Sequence, residues 1–317
     1  KILHAAQGDQ ECLYMSYGIT ATPTLDTAQA ASLLGYGDNV GLAKILKETL
    51  GVSIEKGHAR TDWTARPLPP QLLKYAHGDV KHLVRAGKVM LRELDKLQRK
   101  EWALELSKRW ERHESFIFDS RAQALRYARG GRLDERAIAA LELLLKWRDE
   151  RAAKVNIPRR RIMEDDILSD LAKVRPQNIE HLQSFRGINK GELKHSADAL
   201  IEIFTRVSKL PKESLPTLPK SEIPTNREAR CMDVLNCFLK FLADRHDISL
   251  RHLLGPEEML RLVRGQFHTA EDLVQAQIIS PGAARMIGED LVQILKGNRS
   301  LSLVQSENGL DTSLKTM

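Results

Sequence analysis

The stretch PPQLLKYAHGDVKHLVRAGKVMLREL, residues 69–94, repeats apolar residues at helical spacing. The repeating positions are Leu72, Ala76, Val80, Leu83, Gly87, Met90 and Leu94. The two prolines at its start are typical of the first turn of a helix. The stretch therefore predicts a helix with one buried apolar face.

Tyr75 and Asp79 are four residues apart in this stretch and fall on one face of the helix, one residue off the apolar stripe. A phenol and a carboxylate at the edge of a buried face could border a cleft. The carboxylate would then bind a hard cation and the hydroxyl would steer a water molecule. On spacing alone, an exposed polar pair without a function is the alternative.

The composition is that of a globular protein with a mild basic excess. Its 317 residues are enough for two or three domains. The 49 Lys and Arg against 42 Asp and Glu give a net charge of +7, which favours a polyanionic partner. No apolar run is long enough to span a membrane and no signal peptide is visible. We therefore expect no membrane association.

Three cysteines, at positions 12, 231 and 237, have neither disulfide-framework nor zinc-site spacing. We expect them to be buried or inert, as suits a reducing compartment, and we expect the protein to be cytoplasmic.

The predicted secondary structure changes along the chain. KILHA at residues 1–5 predicts a short strand, DQECLYMSYG a helix that ends at Gly18, and Asp26-Thr27 the start of another helix. From Leu68 to about Arg129 the pattern is helical and ends at Gly130-Gly131. The remainder is also helical, except for SKLPKESLPTLPKSEIPTN, residues 208–226, which predicts an extended linker.

A small helical module is repeated on either side of this linker. Residues 164–204 parallel residues 256–295: each begins a helix with paired acids, continues to IEHL or AEDL, and ends with IEIF or VQIL. Chance similarity between amphipathic helices is the alternative. The polar residues 301–317 predict a frayed tail.

Four segments together resemble bacterial ribonuclease D: HAAQGDQECLY (4–14), TPTLDTAQAA (22–31), RTDWTARPLPPQLLKYAHGDV (60–80) and the doubled module. The resemblance runs from Lys1 to about residue 300. That family joins a DEDDy-type 3′–5′ exoribonuclease domain to two HRDC (helicase and RNase D C-terminal) modules.

The resemblance implies a mostly α protein. Residues 1–100 would be the C-terminal part of an α/β ribonuclease H-like exonuclease domain, and residues 101–132 a helical connector. All-α HRDC bundles would occupy residues 133–207 and 227–300, joined by the linker 208–226, with the tail at 301–317.

In that family four carboxylates hold two divalent cations, Mg²⁺ or Mn²⁺, for phosphodiester hydrolysis. The resemblance implies that Asp9 and Asp79 are metal ligands and that Tyr75 orients the attacking water. In the histidine branch of such nucleases a His stands five residues before the last Asp. Here Lys74 occupies that position, so the tyrosine branch fits better.

Two other residues compete for roles. Asp26 looks like an acid at a strand end, but in the family this Asp-Thr pair begins a helix outside the metal site, so we expect it to be an N-cap. His77 is a rival general base, but it points about 200° away from Asp79 round the helix, so we expect a surface histidine.

The family's first motif is an Asp-x-Glu at the end of the opening strand. The one Asp-x-Glu here is Asp9-Gln10-Glu11, which already serves as the second motif. We therefore expect either an N-terminally truncated fragment or a chain that has lost catalysis. As given, the chain should be inactive.

HRDC modules bind nucleic acid, and the basic residues we expect to bind RNA are Arg159, Arg160, Arg161, Arg186, Lys190 and Lys194. A solvated basic face without a ligand is the alternative. The expected function is trimming of RNA 3′ ends, with tRNA precursors the typical substrate and no obligate protein partner. The alternative is a non-catalytic nucleic-acid-binding protein that uses the tandem modules.

Overall fold

The structure, a computed structural model, describes residues 1–54, 57, 61–129, 133–217, 223–307 and 309–316. Three features of the sequence therefore lie outside the described residues: Arg60 at the head of its motif, the Gly130-Gly131 pair, and the centre of the proline-rich linker, residues 218–222. The chain forms two compact units. Unit 1 comprises Lys1–Phe116 together with Thr225–Met317, and unit 2 comprises Ile117–Pro224.

Within the described residues, the first part of unit 1 combines two very short strands with six α-helices. In chain order they are β1 (Ile2–Leu3), α1 (Gln7–Tyr17), β2 (Leu25–Asp26), α2 (Thr27–Leu33), α3 (Leu42–Leu50), α4 (Pro70–Lys81), α5 (Leu83–Lys96) and α6 (Lys100–Lys108). β1 and β2 pair in parallel, with Ile2 opposite Leu25 and Leu3 opposite Asp26. As expected, α1 ends at Gly18, whose positive φ of 69° lets its N–H bond to the carbonyl of Tyr14.

The helix expected over residues 72–94 is two helices, α4 and α5, divided at His82. In α5 the predicted face is buried, with Met90 and Leu94 inaccessible to solvent. In α4 the prediction was confirmed for Leu72, which is buried, and wrong for Ala76, which is exposed, and for Val80, which is 60% exposed. The break changes the helical phase, so that Tyr75 and Asp79 are half-buried on the inner face of α4.

Unit 2 is an all-α bundle. Its helices are α7 (Ser120–Ala128), α8 (Glu135–Val155), α9 (Arg159–Ile162), α10 (Asp165–Val174), α11 (Ile179–Ser184) and α12 (Lys190–Ser208). Asp134, Asn178 and Asn189 cap α8, α11 and α12 with side-chain oxygens, which satisfies backbone N–H groups at these helix starts. The bundle has its own apolar core, with Leu144 and Phe204 fully buried.

The second part of unit 1 follows the same helical order as unit 2. Its helices are α13 (Asn226–Arg245), α14 (Pro256–Arg264), α15 (Ala270–Gln275), α16 (Pro281–Ala283) and, after a π-helical turn, α17 (Glu289–Leu295). Between α13 and α14 a short 3₁₀ turn, Leu250–His252, stands where α9 stands in unit 2. Long, short, medium and short helices thus recur in sequence before a closing helical segment, as the sequence repeat suggested.

The expected frayed tail is instead a hairpin. β3 (Arg299–Ser306) and β4 (Gly309–Thr316) pair antiparallel, with Arg299 opposite Thr316. Leu301 and Leu314, a cross-strand pair, pack against the core of unit 1. Leu303, two residues farther along β3, is 70% exposed, so the hairpin packs against the core at its Leu301 end.

One continuous core joins the two parts of unit 1. Leu33 and Met90 belong to the same buried cluster as Phe238 and Leu291. Trp102 in α6 is fully buried, and a Cβ added at Gly282 would lie 2.1 Å from its Cγ. Only glycine permits that approach. The three cysteines, expected to be buried or inert, are free and exposed. None of the described helices is long and apolar enough to cross a membrane.

Candidate active site

The candidate site lies at the carboxyl ends of the two parallel strands. His4 follows β1 and Thr27 follows β2. Parallel pairing brings these ends to one edge, which is where α/β folds place their ligands.

Asp26 fixes the backbone around this edge through hydrogen bonds. It is buried and its carboxylate accepts hydrogen bonds from the backbone N–H groups of Ala5 at 2.9 Å, Ala6 at 3.1 Å and Ala28 at 2.9 Å. The last of these caps α2, which confirms the expected N-cap role. The other two fix the turn between β1 and α1. Asp26 is thus a structural carboxylate that orients the start of α1.

Asp9 is in the first turn of α1 and is exposed, whereas Tyr75 and Asp79 are half-buried on α4. All three border one cavity of about 770 Å³, together with His4. The ring of Trp63 lies 6.0 Å from that of Tyr75, centroid to centroid, and stacks obliquely beside it. The structure therefore brings together the three residues singled out from the sequence, although they are up to 70 positions apart.

The electrostatics of the cavity distinguish its members. Burial raises the pKa of Asp79, an effect that His4 partly offsets. Burial also lowers the pKa of His4, against the attraction of Asp26, Asp79 and Asp9, and so favours the neutral imidazole. Within the described residues neither Asp9 nor Asp79 has a hydrogen-bond or ion-pair partner. Both carboxylates are open to a ligand.

His77, the rejected general base, is exposed as expected. It borders a smaller hollow of about 220 Å³, with Lys74, Lys81 and His82 among its neighbours, and Tyr75 and Asp79 also line that hollow. It is absent from the lining of the cavity that Asp9 shares with Asp79.

Residues 1–95 match the 3′–5′ exonuclease family and residues 138–204 match the HRDC domain family. Ribonuclease D of Acidiphilium cryptum is 28% identical over 301 residues, which are 94% of this chain and 74% of the relative. Ribonuclease D of Sphingobium indicum is 29% identical over 307 residues, covering 96% and 77%. The chain thus contains a 3′–5′ exonuclease domain and an HRDC domain, and it is similar to ribonucleases D over nearly its whole length. It is of the 3′–5′ exoribonuclease type, with one matched HRDC domain following the exonuclease part.

Solved structures agree with this fold. The crystal structure of Escherichia coli RNase D superposes with a TM-score of 0.72 at 22% identity, over 94% of this chain and 79% of that one. A protein from Bifidobacterium adolescentis gives a TM-score of 0.64 at 21% identity, over 93% and 78%. The chain spans 65% of the length of the ribonuclease D of Bartonella henselae, which is 28% identical over 272 residues.

A 3′–5′ exonuclease domain implies divalent metal ions, and the chemistry of Asp9 and Asp79 fits such an ion. Both offer hard oxygen donors without partners in the described residues, and burial leaves the charge of Asp79 poorly compensated. However, the described part of the chain contains no group of three or more His, Cys, Asp or Glu side chains placed to hold a metal. The pair fits a loosely held ion that keeps most of its waters.

The basic residues expected to bind RNA differ in availability. Arg159 pairs with Asp149 and its guanidinium lies 4.7 Å above the ring of Phe118, while Arg160 is 3.5 Å from Asp165. The remaining four are exposed and form no ion pair within the described residues: Arg161, Arg186, Lys190 and Lys194. Arg159 has a structural role, whereas these four are open to a polyanion.

Sequence reasoning missed His4 and Thr27. His4 Nδ1 lies 3.1 Å from Thr27 Oγ1. The sequence feature that could have identified them is their position, because each residue directly follows a short strand. A polar residue after a strand is too common to have been singled out without knowing that the two strands pair.

Proposed function

We propose that Asp9, Asp79 and Tyr75 are part of the catalytic centre of a two-metal-ion exoribonuclease that trims RNA 3′ ends. The observation that carries this proposal is their convergence on a single cavity from helices α1 and α4. Asp9 and Asp79 would hold the ions, Mg²⁺ or Mn²⁺. When bound, such ions supply Lewis-acid stabilisation of the charge that develops on the phosphate oxygens.

Tyr75 has a different task. Its hydroxyl borders the cavity one helical turn from Asp79, where it would orient a water molecule towards the scissile phosphate. The oblique contact with Trp63 restricts the ring, so the hydroxyl would be held in place before substrate binds. This makes Tyr75 a positioning group, which contributes less to the rate than a metal ligand.

RNA would be held by unit 2. Arg161, Arg186, Lys190 and Lys194 are exposed cations without ion-pair partners among the described residues, and such residues release counterions when they bind phosphates. The E. coli relative is described as an exoribonuclease involved in structured RNA processing. We extend this to the present protein as RNA with structured bodies and accessible 3′ ends, tRNA precursors included, acting in the cytoplasm.

One observation favours a second candidate, a nucleic-acid-binding protein without catalysis. The single Asp-x-Glu of these 317 residues, Asp9-Gln10-Glu11, lies in helix α1. Side chains at positions i and i+2 diverge on a helix, so this motif cannot supply the adjacent carboxylates that a strand would.

One assay distinguishes the two candidate functions. The 317-residue chain, and any longer form of it that supplies an Asp-x-Glu strand, are incubated with 3′-labelled RNA in Mg²⁺ or Mn²⁺, and binding and label release are measured together. We expect salt-sensitive binding by both and metal-dependent release only by the longer form. If neither form releases the label, the function is nucleic-acid binding without catalysis.

Release by the 317-residue chain that disappears in Asp9→Asn would show that the additional carboxylates are not needed. Asp233→Asn, on the exposed surface of α13, is the matched control for loss of one negative charge. It should change neither Mn²⁺ binding nor release.

A further inference from the structure

Among the residues that the structure describes, His4 is the one imidazole in the lining of the cavity that Asp9, Tyr75 and Asp79 share. It is half-buried and directly follows β1. Its Nδ1 lies 3.1 Å from the hydroxyl oxygen of Thr27, and that hydroxyl in turn lies 3.0 Å from the carbonyl oxygen of Leu3. Thr27 is fully buried, so water does not compete for either contact.

These two contacts determine the tautomer of His4. A carbonyl oxygen can only accept, so the single proton of the Thr27 hydroxyl is donated to Leu3. The hydroxyl oxygen is then an acceptor, and His4 must donate to it from a protonated Nδ1. In a neutral imidazole the other nitrogen, Nε2, therefore carries a lone pair and no proton.

Nε2 is directed to an open position. It has no hydrogen-bond partner within the described residues, and it is not one of their unsatisfied buried atoms. A solvent-accessible acceptor in a cavity with two carboxylates would repel phosphate oxygens and attract a hydrogen-bond donor. At the 3′ end of RNA, the neutral donors common to every nucleotide are the ribose hydroxyls.

We propose that His4, through Nε2, accepts a hydrogen bond from a ribose hydroxyl at the 3′ end of the bound RNA. The inference rests on the proposed function, because it assumes that the cavity receives that end. A 2′-hydroxyl partner would make His4 a residue that selects RNA over DNA. A 3′-hydroxyl partner would make it a residue that recognises a free end.

Nucleoside monophosphates are suitable probes because each is the size of one released product. The 317-residue chain is labelled with ¹⁵N-histidine and titrated with AMP, 2′-deoxy-AMP and 3′-deoxy-AMP, while imidazole nitrogen signals and affinity are recorded. The His4 signal is identified by its disappearance in His4→Phe. We expect an Nδ1–H tautomer in the free protein and a shift of the Nε2 signal with AMP.

One of the deoxy probes should bind about twofold to tenfold more weakly than AMP, the range of one neutral hydrogen bond. His4→Phe should lose the same factor for AMP and nothing further for that deoxy probe. Thr27→Val removes the acceptor for Nδ1 at nearly constant volume. It should therefore allow both tautomers of His4 and abolish the preference for AMP over the deoxy probe. His181→Phe, an exposed histidine on α11, should behave as wild type.

An Nε2–H tautomer in the free protein, or equal affinity of His4→Phe and wild type for AMP, would overturn the inference and leave the proposed function standing. Absence of AMP binding by the wild type, together with indifference to the 3′ end of RNA, would count against both. If His4→Phe does not fold, as judged by circular dichroism, the Thr27→Val comparison decides.

Discussion

Replacing Arg99 by methionine should destabilise the whole of unit 1. Arg99 is only 8% exposed, and it donates from Nη1 to the carbonyl of Leu33 and from Nη2 to that of His246, each at 2.7 Å. Leu33 ends α2 and His246 follows α13, so one guanidinium satisfies the ends of helices from both parts of the unit.

The magnitude follows from those two carbonyl groups. Methionine fills the volume of the arginine stem but leaves both acceptors buried without a donor, at about 1–3 kcal/mol each. Against this, the guanidinium is itself costly to bury: burial lowers the pKa of Arg99, and its Nε has no partner. We therefore expect a net loss of about 2–4 kcal/mol, a large fraction of the about 5–15 kcal/mol that stabilises a typical domain.

Urea unfolding followed by tryptophan fluorescence and circular dichroism measures this loss. Arg99→Lys, which keeps the charge but cannot span both carbonyls, should fall between Arg99→Met and wild type. Arg85→Met, the same substitution on the exposed face of α5, should stay within about 0.5 kcal/mol of wild type. If Arg99→Met and Arg85→Met have equal midpoints, the assignment of Arg99 as a link between the two parts is wrong.

Three further predictions concern pH, catalysis and the linker. Burial lowers the pKa of His252 from 6.5 to about 4, so it contributes stability that is present above pH 6.5 and is lost as the pH falls towards 4. The loss should be up to about 3 kcal/mol, and urea midpoints across this range should be flatter in His252→Gln. In any form with metal-dependent activity, Asp79→Asn should cost several orders of magnitude in rate and Tyr75→Phe about 10²- to 10⁴-fold; equal activity of Asp79→Asn and wild type would contradict the ligand assignment. Limited proteolysis should cut first between Ser208 and Asn226, and faster cleavage within residues 164–204, read by mass spectrometry, would argue against the proposed module boundaries.

Local patterns predicted the helices well, because helix periodicity and capping are local properties. Gly18 ends α1 and Asp26 caps α2, as their chemistry requires. The predicted buried face was wrong over most of α4 for a tertiary reason. His82 divides the predicted helix, and each half then buries the face that packs against its own neighbours. Val80 continues the stripe of α5 in sequence but not in space.

The candidate site was predictable only in part, and the family resemblance supplied most of it. A tyrosine and an aspartate four residues apart give a shared face, but nothing in that spacing indicates that Asp9 of α1 borders the same cavity. The packing of the second module was not predictable either. Its apolar stripes match those of unit 2 in pattern, yet they close a core with α2, α5 and α6.

Three aspartates near the strand ends illustrate how the fold assigns different roles to one side chain. Asp26 has its charge stabilised by three backbone N–H groups, and its own N–H donates at 3.0 Å to Ser107 Oγ in α6, the helix whose Trp102 packs against Gly282. It therefore needs no cation and is part of the framework that the second module covers. Asp9 and Asp79, with no such partners among the described residues, leave two uncompensated charges in one cavity. The two carboxylates that could bind a cation therefore lie in the same cavity as Tyr75 and His4. A phosphate or water bound to that cation would be within reach of both side chains.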